Sequence, residues 1–131
     1  LNFAISDLRA ENVSAGDAAV MGDLLRSELV KTGAFNVIEK QNMEKVLAEH
    51  AFQQTGCTSE ECAVKLGKLL NVQRMGVGSF GKLLDAYFLN LRVVDIETGQ
   101  VAVADSAEGK TVSDLKTAVR DMARRLAEAV Q

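Results

Sequence analysis

The sequence predicts an α/β fold of the α+β kind, in which helices pack on one mixed sheet of about five strands. Short stretches in which apolar and polar residues alternate, a pattern typical of strands, occur at the start of the chain and repeatedly in its second half. Apolar residues three or four positions apart between them indicate amphipathic helices. The last three strand-like stretches are separated by short turns only, so we expect them to form an antiparallel meander.

The predicted element order is β-α-β-α-α-β-β-β-α, within a single domain that spans residues 1–131. The strands are predicted at residues 2–8, 35–38, 72–82, 86–96 and 101–108. The helices are predicted between residues 14 and 33, 39 and 52, 58 and 70, and 111 and 130. The first strands are connected through helices, so we expect them to be parallel, as such crossovers require.

Capping residues justify the helix boundaries. Ser14 is a good N-cap for the first helix, and Gly33 suits its left-handed C-terminal position. The third helix begins with Thr58-Ser59-Glu60-Glu61, a capping box with Thr58 as the predicted N-cap. Thr111 caps the last helix in the same way. In the meander, residues 84–85 and 97–99 form the turns, and Gly99 suits a left-handed turn position.

Composition limits the classes of function. The net charge is −3 and the pI is about 5.2, which argues against a general nucleic-acid binder and against docking on anionic lipid. We also expect no catalysis and no cofactor. The lone histidine, His50, lies near a predicted helix end, and no Ser/His/Asp or Cys/His set forms without it. The stretch GVGSFG (76–81) matches a dinucleotide-binding fingerprint, but a hairpin follows it where a helix is needed.

The only two cysteines, Cys57 and Cys62, flank the start of the third helix. With Thr58 as N-cap they occupy the two positions of a hydrophobic staple, which brings their side chains together. A structural disulfide is therefore one interpretation, and it would indicate an oxidising compartment. Two packed free thiols, or a metal or redox role, are the alternatives, although the spacing is not C-x-x-C and a zinc site needs more ligands.

The sequence resembles the CsgG-like family, which contains the curli secretion channel subunit. The matching segments are LRSELVKTGAFNVIEK (25–40), the cysteine segment 56–63, VGSFGKL (77–83) and VVDIETGQV (93–101). Penicillin-binding-protein activator lipoproteins and the N-terminal domain of TolB are structural relatives of that family. The resemblance implies a periplasmic, non-catalytic module, tethered to the outer membrane by a lipid anchor ahead of Leu1. It also implies that the family's cysteine pair corresponds to Cys57 and Cys62.

The function that we predict is binding to another envelope protein, as an adaptor or regulator of an assembly or secretion machine. A homo-oligomeric subunit of a secretion or assembly ring is one alternative, and a small-ligand or nucleotide-binding domain is another. Candidate partner surfaces are the solvent side of the meander, with Phe88 and Arg92, and the two predicted sheet edges at 35–38 and 101–108, where a partner could add a strand.

Overall fold

A computed structural model of the chain describes residues 1–50 and 59–129. These residues form six strands and four helices, which confirms the predicted fold class. The strands are β1 (Asn2–Ile5), β2 (Arg9–Glu11), β3 (Asn36–Val37), β4 (Arg74–Leu83), β5 (Ala86–Asp95) and β6 (Val101–Gly109). The helices are α1 (Ala15–Thr32), α2 (Lys40–Glu49), α3 (Glu60–Leu70) and α4 (Val112–Ala129).

All six strands belong to one mixed sheet with the order β3-β1-β4-β5-β6, and β2 also pairs with β4. Strand β1 is parallel to β3 and β4, whereas β4, β5 and β6 are antiparallel as predicted. The meander turns also agree with the prediction, since Gly99 has a φ of 75°. The described sheet therefore ends at β3 on one side and at β6 on the other, the two edges that the sequence predicts.

Helices α1 and α4 cover one face of the sheet. The α1 residues Leu25 and Leu29 and the α4 residues Val119 and Met122 are buried there against strand residues such as Leu91. These are positions of the apolar stripes that the sequence predicts. Each fully buried aliphatic side chain of this kind contributes about 1.5–3 kcal/mol, so this layer supplies much of the driving force for folding.

Helices α2 and α3 cover the other face, but only at one end. Met43 and Leu47 from α2 and Leu66 from α3 pack there on Met75 and Val94. The approach of α3 is close: a Cβ on Gly67 would lie 2.6 Å from Cγ1 of Ile96, so a glycine is needed at this contact. The rest of this face extends beyond the two helices.

The first predicted strand, 2–8, is wrong in extent. The chain leaves the strand conformation after Ile5 and resumes pairing with β4 at Arg9, where the sequence predicts a turn. The short segment Arg9–Glu11 has too few residues for its alternation to be recognised, and its pairing with β4 comes from tertiary structure. Strand β2 is therefore an element that the sequence analysis missed.

The predicted N-cap of the third helix is also wrong by one residue. Ser59 is the N-cap of α3, and its Oγ accepts a hydrogen bond from the Cys62 backbone N–H at 3.1 Å. Both residues can cap a helix, so the sequence alone does not choose between neighbours. Cys62 is consequently the third helical residue and not the fourth, and the staple argument no longer applies. Cys57 lies outside the described residues, so its disulfide with Cys62 stays a prediction.

The other predicted caps are confirmed. Ser14 Oγ accepts from the Asp17 N–H at 3.0 Å, and Thr111 Oγ1 accepts from the Asp114 N–H at 3.1 Å. Gly33 has a φ of 74° and ends α1 in the left-handed conformation. Helix α2 ends at Glu49, before the predicted limit at residue 52, which lies outside the described residues.

Candidate functional site

The part of the sheet that α2 and α3 leave uncovered is the main candidate for a functional surface. Along β5, Val94 is buried below the helices, whereas Asn90, on the same side of the strand, is exposed. We call this uncovered surface the open face. It consists of Arg9 and Glu11 from β2, Ser79 from β4, Phe88, Asn90 and Arg92 from β5, and Ala104, Ser106 and Glu108 from β6.

A shallow groove of about 530 Å³ crosses the open face. Strand register fixes its floor, because Ser79 pairs with Asn90 and Asn90 pairs with Ser106 on neighbouring strands. Residues paired across a sheet point to the same side, so these three side chains form one polar row. Such a row on a four-strand platform suits contact with an extended or flat partner surface.

Two ion pairs border the groove. Arg92 Nη1 lies 2.9 Å from Glu60 Oε1 at the start of α3, and Arg9 Nε lies 3.9 Å from Glu11 Oε1. All four side chains are more than a third exposed, so each pair stabilises the fold by at most about 1 kcal/mol. Their charges remain available to a partner, and the open face offers both signs.

Phe88 is the large apolar residue of the open face. Its ring lies over Gly81, where an added Cβ would be 2.6 Å from the ring's Cζ and 2.7 Å from the Glu11 carbonyl oxygen. A glycine at 81 therefore lets both the ring and β2 approach β4. The GVGSFG motif has the same explanation: its glycines lie inside β4 and not in a strand-to-helix turn, so the arrangement that binds a pyrophosphate is missing.

The structure places the two predicted surface residues, Phe88 and Arg92, on one face of β5, four residues apart. Sequence reasoning missed Arg9 and Glu11, which β2 carries to the same surface, and also the Arg92–Glu60 pair. The only signal for the former was that two charged residues flank Ala10, an alternation that is typical of a strand with one polar face.

Buried charge lies elsewhere and serves the fold. Arg26 in α1 is buried, donates to the Ile5 carbonyl oxygen at 2.8 Å and pairs with Asp23 at 3.1 Å. Burial lowers the pKa of Arg26, an effect that Asp23 and Asp7 oppose. The guanidinium closes the end of β1 against α1, so it positions the strand.

Metal-binding geometry is not found among the described residues, where no three His, Cys, Asp or Glu side chains are grouped as ligands would be. His50 is exposed and ends α2, with its N–H bonded to the Leu47 carbonyl oxygen at 3.2 Å. Within residues 1–50 and 59–129, none of the helices has the length and apolar character needed to span a membrane.

A mixed sheet with two helices on each face and a polar open surface defines a small α/β domain of the kind that the sequence analysis expected. The family described as curli production assembly/transport component CsgG matches residues 5–83, more than half of the chain. The chain therefore belongs to the CsgG family. By sequence alone, no curated protein matches it.

Solved structures with the same fold include envelope proteins. Lipoprotein GNA1162 from Neisseria meningitidis has a TM-score of 0.71 at 12% identity, over 99% of each chain. The C-terminal domain of LpoB from Salmonella enterica has a TM-score of 0.69 at 14% identity, over 84% of this chain and 82% of that one. The PelC dodecamer from Paraburkholderia phytofirmans has a TM-score of 0.62 at 9% identity, over 99% and 88%. At these identities the likeness establishes the fold.

Proposed function

We propose that this chain is a non-catalytic interaction module of the cell envelope, which binds another envelope protein through the open face. The observation that carries the proposal is the combination of a polar groove, two exposed ion pairs and Phe88 on a sheet surface without helix cover in the described part of the chain. Membership of a family described by curli assembly and transport supports the envelope setting.

The chemistry of the open face fits protein recognition. An aromatic anchor, arginines and a polar rim are the residue types that carry most of the binding energy in protein interfaces. The platform is rigid because three long antiparallel strands form it, so a partner meets preformed positions. Catalysis would require a nucleophile or an acid–base pair in the groove, and the groove-lining side chains form no such set.

The location proposed for the chain is the periplasm, with a tether to the outer membrane. A lipoprotein is named among the structures with the same fold, and this supports the proposal. A role as a subunit of an assembly ring is the second candidate, and the description of PelC as a dodecamer favours it. The two roles differ in what the open face contacts: a different envelope protein in the first, and neighbouring copies in the second.

The proposal is tested by cross-linked co-purification from the envelope of the native host, with Asn90→Arg as the blocking variant. Asn90 is exposed at the centre of the open face, so a long charged side chain there obstructs the groove without disturbing the core. Thr117→Arg adds the same charge on the exposed side of α4 and is the matched control. We expect one envelope protein to co-purify with the wild type and the control, at least ~10-fold more than with Asn90→Arg.

Equal recovery with all three proteins would exclude the open face as the binding surface. Recovery of this chain alone, in a species of many copies that Asn90→Arg dissociates, would favour the ring subunit.

A further inference from the structure

The outer edge of β6 carries an inference that does not depend on the proposed function. β6 is nine residues long, is the last strand of the described sheet, and contains neither lysine nor proline. Long edge strands normally carry such residues to prevent pairing with other chains. The opposite edge, β3, is only two residues long, so β6 is the edge with the capacity to accept another strand.

Ser106 shows which backbone groups point outward. Its N–H donates to Asp105 Oδ1 at 2.8 Å, and its carbonyl oxygen accepts from Arg125 Nη2 at 3.4 Å. Antiparallel ladders alternate, so the backbone groups of Ala104 and Glu108 point outward together with those of Ser106. Side chains therefore hold the centre of this edge, in the place where a neighbouring strand would supply backbone groups.

The side-chain contacts at Ser106 can be exchanged without loss of the ion pair. Arg125 Nε lies 2.7 Å from Asp105 Oδ2, a contact that involves neither backbone group of Ser106. An incoming strand would replace one N–H donor and one carbonyl acceptor by equivalent groups. Exchanges of this kind are nearly neutral in free energy, whereas new hydrogen bonds at Ala104 and Glu108 are gained.

We propose that β6 pairs antiparallel with β6 of a second copy of this chain, with the two-fold axis at Ser106. A bulge between Val93 and Val94 of β5 interrupts the register before Val103. The regular part of β6 therefore runs from Val103 to Gly109, with Ser106 at its centre. Antiparallel pairing about Ser106 aligns this stretch with itself over its whole length, as an isologous contact requires.

Charge and size favour the same register. Asp105 lies opposite Ala107 of the second copy and Glu108 lies opposite Ala104, so no like charges are directly opposed. The two Asp105 carboxylates are diagonal neighbours across the axis, and each already has the Arg125 guanidinium of its own copy. The small side chains of Ala104 and Ser106 allow close approach on the open-face side.

The test is sedimentation equilibrium of the whole chain over a range of concentrations, with Ala104→Pro and Ala104→Val as paired variants. Proline removes an outward N–H and places a ring on the edge, while the ladder to β5 is retained. Valine keeps the N–H and suits a strand. We expect a monomer–dimer equilibrium for the wild type and Ala104→Val, and dimerisation at least ~10-fold weaker for Ala104→Pro.

A wild type that stays monomeric at all concentrations, or an Ala104→Pro variant that dimerises as well as Ala104→Val, would overturn the proposal. If Ala104→Pro fails to fold, Ser106→Cys decides, because the axis brings the two introduced thiols together. Under mild oxidation we expect a covalent dimer from Ser106→Cys and none from Ser113→Cys, whose position is exposed on α4. Equal cross-linking of the two variants would also contradict the inference.

Discussion

At the scale of single residues, glycines in β4 decide how closely the backbone of neighbouring strands can approach. A Cβ on Gly78 would collide with the Asn90 carbonyl oxygen of β5, and backbone cannot move aside as a flexible side chain does. In a close-packed sheet such a collision forces the strands apart. The glycines that resemble a nucleotide-binding motif in the sequence are therefore explained by strand packing.

Gly78→Ala is expected to lower the free energy of unfolding by about 1–3 kcal/mol, the usual effect of overpacking. Gly16→Ala is the matched control, because the nearest atom to its added Cβ is Ser14 Oγ at 3.8 Å. In the first turn of α1 the control should leave stability unchanged or raise it by up to about 1 kcal/mol. Urea denaturation of both variants gives the comparison, and equal stabilities would refute the packing argument.

The pair between Asp105 and Arg125 predicts how stability responds to acid. The hydrogen bond from Arg125 lowers the pKa of Asp105 in the folded chain. The pair therefore stabilises the fold at pH values above the unfolded-state pKa of about 3.9, and this contribution is lost as pH falls through the lower, folded pKa. The same bond raises the pKa of Arg125, far above this range.

Asp105→Asn should cost less than about 1 kcal/mol at neutral pH, because both side chains are partly exposed. Below pH 4 the difference from the wild type should shrink, since the wild-type carboxylate is then protonated as well. Chemical denaturation at pH 7 and at pH 2–3 measures both differences. A difference that grows in acid would mean that the pair is not the source of the effect.

At the scale of elements, the position of the α3 cap determines where Cys62 lies. Ser59→Ala removes the acceptor for the Cys62 N–H and should lower the free energy of unfolding by about 0.5–2 kcal/mol, whereas Ser59→Asp keeps an acceptor and should be nearly neutral. Thermal or urea unfolding distinguishes the two. If alanine and aspartate had the same effect, Ser59 would not be the functional cap.

The elements also show what a sequence can and cannot predict. Helix α1 was predictable at both ends because Ser14 and Gly33 act locally and the apolar stripe between them is long. The long strands β4, β5 and β6 were predictable from alternation and from tight turns. Strand β2 was not, because three residues carry little periodicity and their pairing partner lies about seventy positions away in the sequence. The α3 cap failed because Thr58 and Ser59 have similar capping ability.

The candidate surface was predictable in part for the same reasons. Phe88 and Arg92 share a face because they lie four residues apart on one strand, which follows from the period of a strand. The arrival of Arg9, Glu11 and Glu60 at this surface depends on β2 and on the packing of α3, and both are tertiary features. No local pattern in the sequence reports them.

At the scale of the whole molecule, the compartment is tested by the state of the cysteines. We predict that Cys57 and Cys62 form a disulfide in the native host, as an oxidising compartment permits. A thiol count on protein alkylated at lysis and then denatured without reductant should find no reactive thiol. Two reactive thiols would remove this support for a periplasmic location.

The central claim is that the open face binds another envelope protein, and site-specific photo-cross-linking in the native host tests it most directly. A photoreactive residue replaces Asn90 in one variant and Val30, which is 57% exposed on α1, in a second. We predict a discrete cross-link to one envelope protein from position 90, and none from position 30. Cross-links to the same protein from position 30 alone, or none from either position while the chain is folded and present, would contradict the account.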